Sequence, residues 1–195
     1  MLRIPWLVTW IWFAFFFFWL VLAVFNKKAS KSVPWRRRSA AVRLIVLVVV
    51  LAFVWLRRHG YVGSAGAIGR SLSLHPDVAD QWAGVGLVLI GFGVAFWARM
   101  HLGRNWGIPM SLREGHELVT SGPYAYVRHP IYSGIMLAAV GSILAVGLVW
   151  LALFVLCTVY FVVSARTEEK MMLAQFPDTY PAYLRRTKML VPFVF

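Results

Sequence analysis

Long apolar runs alternate with polar and basic segments along this chain of 195 residues. The first run, residues 4 to 25, carries no charge and as a helix reaches ~33 Å, which is long enough to cross a bilayer. Residues 42 to 56 and 81 to 98 form the second and third runs. Each of the three runs therefore predicts a transmembrane helix.

The fourth apolar run, residues 130 to 165, is too long for one span. As a straight helix it would reach ~54 Å, against a hydrocarbon core of about 30 Å. It must therefore fold back, and Gly147 near its midpoint is the expected hairpin tip, with Gly141 as the second choice.

These runs predict an all-α integral membrane bundle of about five transmembrane helices, the last two forming a helical hairpin. Two regions are expected: an N-terminal two-helix region, residues 1–79, and a core, residues 80–195, that ends in a short cytoplasmic segment. Pro177 and Pro181 prevent a long continuous helix in that last segment. Glycines in the third run would allow close helix contact, although glycine is also tolerated generally in such helices (Gly84, Gly86, Gly91 and Gly93).

The composition supports a membrane protein, since 61% of the residues are hydrophobic and only 14% are charged. The formal net charge of +13 would suggest nucleic acid in a soluble protein. Here the basic residues stand in short loops beside apolar runs and no nucleic-acid recognition motif accompanies them, so membrane lipid headgroups are the expected partners and nucleic acid is not. The single cysteine, Cys157, excludes an intrachain disulfide, and no metal site is predicted.

The basic residues also predict the orientation. With the first loop inside, 16 of the 20 Lys and Arg residues lie on the cytoplasmic side. The N terminus is then outside and the C terminus cytoplasmic, in the inner membrane if the cell is bacterial.

Folding the fourth run into a hairpin brings its two polar ends to one membrane face. One end carries Arg128 and His129, and the other carries Glu168 and Glu169. The first turn of the helix that begins at Pro130 favours an anion, and the glutamates favour a cation or ribose hydroxyls. S-adenosylmethionine is a ligand with both features. Alternatively, Arg128 and a glutamate only lock the hairpin ends together and His129 is an N-cap.

The spaced elements of this half of the chain resemble the isoprenylcysteine carboxyl methyltransferase family and, more widely, phospholipid N-methyltransferases. GPYAYVRHPIYSG at residues 122–134 precedes the apolar run, and RTEEKMMLAQFPDTYPAYLRR follows it at residues 166–186. LGRNWGIP at residues 102–109 lies upstream. The similarity covers roughly residues 80 to 193, with Pro177 standing where the family commonly has glycine.

The resemblance implies an integral membrane, S-adenosylmethionine-dependent methyltransferase whose lipophilic small-molecule or prenylated substrate enters from the bilayer. A prenylcysteine-like carboxylate is the favoured acceptor. The residues implied to bind the cofactor are Tyr124, His129, Pro130, Tyr132, Gly134, Glu168 and Glu169. Those implied to act on the substrate or at the reaction centre are Arg128, Arg166, Asn105 and Trp106.

Three alternatives remain at the level of sequence. A carboxylate acceptor needs no base, whereas a phospholipid amine must first lose a proton, and no base with a visible orienting partner stands in the sequence. An intramembrane reductase that uses NADPH would have a related architecture. A non-catalytic scaffold would use the polar ends only to close the hairpin.

Overall fold

A computed structural model describes residues 4–24, 29–32, 77–103, 106, 111–113, 117–147 and 149–193. In these ranges the chain forms helices α1 (Ile4–Val24), α2 (Val78–Leu102), α3 (Pro130–Val146), α4 (Val149–Gln175) and α5 (Tyr180–Arg186). A short 3-10 helix, Gly122–Ala125, precedes α3. Two short antiparallel strands, β1 (Ala29–Ser32) and β2 (Ser111–Arg113), join the connections that follow α1 and α2.

The predicted all-α membrane architecture is confirmed. Among the described residues, α1, α2 and α4 are long and apolar enough to cross a membrane, and α3 is a shorter apolar helix of 17 residues. The predicted second span, residues 42 to 56, lies outside the described residues, as do most of the first basic loop and Asn105.

The hairpin forms where the length of the apolar run required it. Helix α3 ends at Val146, and Gly147 has a φ of 116°, a conformation that residues with a side chain rarely adopt. Helix α4 then runs ten residues beyond the predicted end of the apolar run and stops at Gln175, just before Pro177. This extension carries both glutamates on a regular helix.

Helices α2 and α3 contact each other through glycines seven residues apart on each helix. A Cβ added at Gly91 would lie 2.5 Å from the carbonyl oxygen of Gly134, and one added at Gly84 would lie 2.6 Å from that of Gly141. Small residues let helix backbones approach closely in a bilayer, where lipid tails remove most of the hydrophobic drive for association. Of the four glycines predicted to allow contact, Gly84 and Gly91 make it, whereas Gly86 and Gly93 meet no atom of the described chain within 4 Å.

Helix α1 packs on this pair through aromatic side chains. The Trp12 ring stands edge-on to Phe92 at 4.8 Å and stacks on Trp150 at 5.5 Å. Its indole Nε1 donates a 3.0 Å hydrogen bond to Oγ of Ser142, which in turn donates to the carbonyl of Ala138. The first helix is therefore bonded into the core formed by α2, α3 and α4.

After Gln175 the chain returns to the base of the hairpin. The turn at Pro177 leads into α5, and the residues after α5 lie beside the start of α3, where Val127 and Lys188 form a parallel bridge. We call residues 180–190 the C-terminal segment. It covers the polar end of the hairpin.

Candidate active site

The two polar ends of the hairpin meet, as the folding argument predicted. The Nε atom of Arg128 donates to Oε1 of Glu169 at 2.6 Å. The ring of His129 lies between both carboxylates: its Nδ1 is 3.4 Å from Oε2 of Glu168, and its Nε2 is 3.4 Å from Oε1 of Glu169. Successive helical residues point about 100° apart, and the two glutamates accordingly reach different sides of the histidine ring.

Tyr132 joins the cluster from the first turn of α3. Its hydroxyl donates a 2.6 Å hydrogen bond to Oε1 of Glu168. Its ring lies parallel to that of His129 on one side, with centroids 5.5 Å apart, and to that of Phe161 on the other, at 4.6 Å. The three stacked rings hold the side chains of His129 and Tyr132 in place against α4.

The charge of His129 is coupled to that of its two carboxylate neighbours. Burial lowers its pKa, but the two glutamates outweigh burial, so the pKa of His129 is raised above the usual 6.5. Although His129 is the N-cap residue of α3, its side chain makes no capping hydrogen bond. Its buried Nε2 has no hydrogen-bond partner, because the approach to Glu169 lies outside hydrogen-bond geometry. The structure therefore gives the imidazole an electrostatic role rather than a capping one.

Arg128 reaches from the hairpin to the C-terminal segment. Besides Glu169, its guanidinium donates from Nη1 to the carbonyls of Leu184 and Thr187. Its backbone N–H donates to the carbonyl of Lys188 at 2.8 Å. The sequence pattern did not single out these tail residues, because backbone carbonyls carry no sequence signal.

Two further contacts fasten the same segment. The hydroxyl of Tyr183 donates to the carbonyl of Tyr124 at 2.7 Å, and Ser133 Oγ donates to the carbonyl of Leu190. Burial raises the pKa of Tyr183 to about 12 against the lowering effect of Arg128 and Arg186, so its hydroxyl remains a donor at neutral pH. The segment is therefore held by several independent bonds.

The other predicted cofactor residues occupy distinct places. Tyr124 is buried in the 3-10 helix, and Pro130 is fully buried at the first position of α3, where its missing N–H costs nothing. Gly134 lies on the face of α3 that packs against Gly91 and Ala95 of α2. The close packing of α3 on α2 by itself explains why position 134 needs a residue without a side chain.

The predicted reaction-centre residues are dispersed. Trp106 is half-buried and packs against the apolar cluster that contains Tyr124 and Tyr132. The guanidinium of the buried Arg99 lies 4.5 Å from the Trp106 ring centroid and donates to the carbonyls of Gly103 and Leu22. Arg166, in contrast, is exposed on α4. Sequence reasoning does not single out Arg99, although its signal is visible: an arginine near the end of an apolar helix, seven residues before a tryptophan.

Together these features define a helical integral membrane protein with a polar, charge-paired cluster at one end of an apolar hairpin. Residues 84–174, just under half of the chain, match the model of the isoprenylcysteine carboxyl methyltransferase (ICMT) family. The resemblance drawn from the motifs is thereby confirmed. The match runs from α2 to the end of α4 and includes the whole polar cluster but not the C-terminal segment.

Curated relatives align over the same part of the molecule. The chain is 30% identical over 118 residues to the protein-S-isoprenylcysteine O-methyltransferase of Schizosaccharomyces pombe, covering 58% of this chain and 50% of the relative. It is 30% identical over 127 residues to protein-S-isoprenylcysteine O-methyltransferase B of Arabidopsis thaliana, covering 61% and 64%. It is also 34% identical over 121 residues to a cobalt-zinc-cadmium resistance protein of Cupriavidus metallidurans, covering 58% and 54%.

The chain thus spans between half and just under two thirds of the length of these relatives. Their names describe different functions, two naming a methyl transfer and one a resistance to metals. In the part of the chain that the structure describes, no group of three or more His, Cys, Asp or Glu residues is arranged to hold a metal ion.

Proposed function

We propose that this protein is a membrane-embedded methyltransferase that uses S-adenosylmethionine and acts on a lipophilic acceptor, with a prenylcysteine-like carboxylate as the favoured nucleophile. The observation that carries the proposal is the meeting of His129 with Glu168 and Glu169 at the open end of the hairpin. The family match over residues 84–174 and the names of the S. pombe and A. thaliana relatives support the reaction class.

The residues at this end suit the chemical groups of that cofactor. Glu168, whose side chain is 24% exposed, offers carboxylate oxygens to an ammonium group or to ribose hydroxyls. The first turn of α3 offers the positive end of a helix dipole to a carboxylate. When bound, the cofactor supplies a methyl carbon already activated by its sulfonium.

The protein's own task is then to orient two reactants and exclude water. The stacked rings of His129, Tyr132 and Phe161 make one rigid wall. We propose that Tyr124 and Trp106 line the cofactor site beside this wall. We also propose that Pro130 fixes where α3 begins, so that the positive end of the α3 dipole faces the ligand. We give Gly134 an indirect role, through the packing of α3 on α2.

A carboxylate acceptor fits the electrostatics of the cluster better than an amine. An amine must be deprotonated before it attacks, and the base must be free to accept a proton. Both glutamates raise the pKa of His129, which makes its imidazolium a poorer source of a free base, and Glu169 is already paired with Arg128. A carboxylate is ionised at neutral pH and needs no base. We propose that the exposed Arg166, and Asn105, meet this acceptor as it enters from the bilayer.

The proposed orientation has the open end of the hairpin at the cytoplasmic face, where a soluble nucleotide cofactor is available. The basic residues of the C-terminal segment and of the connections on that side would then lie at anionic headgroups.

The test is a transfer assay with purified, reconstituted protein and S-adenosylmethionine labelled in its methyl group. Acceptors are a farnesylcysteine analogue with a free carboxylate, the same analogue with its carboxylate blocked as an amide, and phosphatidylethanolamine vesicles. We expect label only with the free carboxylate, in a product that releases methanol in base because it is an ester. Base-stable label in the phospholipid would show that the acceptor is an amine and not a carboxylate. The absence of label from every acceptor would contradict the proposal.

A further inference from the structure

Two adjacent glutamates in the cluster have different partners. Glu169 is 13% exposed and binds Arg128, whose side chain is 10% exposed and also binds the C-terminal segment. Glu168 is 24% exposed and accepts from Tyr132, with the Nδ1 of His129 nearby. The sequence gives both residues the same chemistry, so the difference arises from the side of α4 on which each one lies.

We propose that Arg128 and Glu169 form a positioning pair that fixes the C-terminal segment over the base of α3. This role rests on the contacts of the two side chains and not on the proposed function.

The contacts of Arg128 are those of a structural link rather than of a substrate clamp. A guanidinium binds a carboxylate best through two parallel N–H donors. In Arg128, however, Nε is bound to Glu169 and Nη1 to the carbonyls of Leu184 and Thr187. A bidentate contact with a ligand carboxylate would have to break one of these bonds. Breaking one would leave a largely buried glutamate or helix-end carbonyl without its partner, which is costly.

The carbonyls that Arg128 binds lie in the last turn of α5 and just after it. The final carbonyls of a helix have no partner within the helix, and a cation placed there also complements the helix dipole. Arg128 therefore satisfies the end of α5 while its charge is balanced by Glu169. A lysine at position 128 offers no planar fork, so it would keep the charge but not this set of bonds.

If the pair holds the C-terminal segment, the segment's bonds to the hairpin should weaken when the pair is broken. Two backbone hydrogen bonds report this directly: the N–H of Arg128 to the carbonyl of Lys188, and the N–H of His129 to the carbonyl of Met189. Amide hydrogen exchange of these two N–H groups, and of Thr187 at the end of α5, therefore measures the attachment of the segment.

The experiment compares Glu169→Gln with Glu168→Gln in the full chain, in detergent micelles without cofactor. We expect Glu169→Gln and Arg128→Lys to speed exchange at His129 and Thr187 by roughly tenfold or more. Glu168→Gln should leave that exchange within about twofold of wild type, because glutamine can still accept from Tyr132. Lys170→Ala, which removes an exposed charge next to Glu169, is the matched control and should also leave it unchanged.

Unchanged exchange in Glu169→Gln would overturn the positioning role, and faster exchange of the same size in Glu168→Gln would overturn the division between the two glutamates. Exchange in the contact between α2 and α3 provides the check that each variant is folded. Because no cofactor is present, these outcomes do not depend on the proposed methyl transfer.

Discussion

Replacing a glycine by alanine on α2 should have opposite effects at two positions only two residues apart. Gly84 faces α3, where an added Cβ would lie 2.5 Å from the backbone N of Ala145 and 2.6 Å from the carbonyl oxygen of Gly141. Gly86 meets no atom of the described chain within 4 Å. Both substitutions add one methyl group and both favour the helical conformation, so the pair isolates the helix contact.

The magnitude follows from the distances. To bring the new Cβ at position 84 from 2.5 Å to an ordinary contact of 3.4 Å, the two backbones must separate locally by about 0.9 Å. Overpacking of this kind typically costs about 1–3 kcal/mol. Gly86→Ala should instead be neutral or stabilising by up to about 1 kcal/mol, since alanine is the better helix former. The two variants should therefore differ by about 1–4 kcal/mol in the free energy of unfolding.

The assay is unfolding in mixed micelles by titration with sodium dodecyl sulfate, followed by far-ultraviolet circular dichroism. Gly91→Ala and Gly93→Ala form a second pair with the same contrast, seven residues further along α2. Equal stability of Gly84→Ala and Gly86→Ala, or a larger loss in Gly86→Ala, would refute the close approach of α2 and α3.

Three other predictions concern single bonds and charges. Ser142→Ala should destabilise the protein by about 1 kcal/mol in the same titration, because it leaves the buried indole N–H of Trp12 without its acceptor. The loss caused by Trp12→Phe should be smaller in the Ser142→Ala background than in the wild type, and additive losses would contradict the bond. Because the pKa of His129 is raised in the folded state, the stabilisation that its charge provides should be complete below pH 6.5 and be lost as the pH rises through the pKa of the folded protein. Melting temperatures measured against pH should therefore fall over this range in the wild type but not in His129→Gln. Parallel curves would argue against the charge pairing with Glu168 and Glu169. Tyr183→Phe should cost about 1 kcal/mol and loosen only the C-terminal segment, measured by amide exchange, since it removes the bond to the carbonyl of Tyr124; a loss spread over the helical core would contradict this.

The hairpin could be predicted because a simple length argument requires it. An apolar run longer than the bilayer is thick must turn back, and Gly147 was the residue best suited to the turn. Once the turn is placed, the proximity of Arg128 and His129 to Glu168 and Glu169 follows. This prediction needed no knowledge of side-chain packing.

The partners within the cluster could not be predicted in the same way. Which glutamate meets Arg128 depends on the rotation of α4 against α3, and a rotation by one residue would exchange Glu168 and Glu169. The path of the C-terminal segment depends on bonds from Arg128 to backbone carbonyls, which every residue type offers. The buried position of Arg99 likewise depends on carbonyls at the ends of α1 and α2.

The two ends of the hairpin are proposed to form one cofactor site. Equilibrium binding of labelled S-adenosylmethionine to the wild type, Glu168→Gln, His129→Gln and the double variant tests it most directly. We expect each single substitution to weaken binding by roughly tenfold, and the double variant to lose much less than the product of the two, because the residues act on one ligand together. Binding that is unaffected by both substitutions, or no binding to the wild type, would contradict the account.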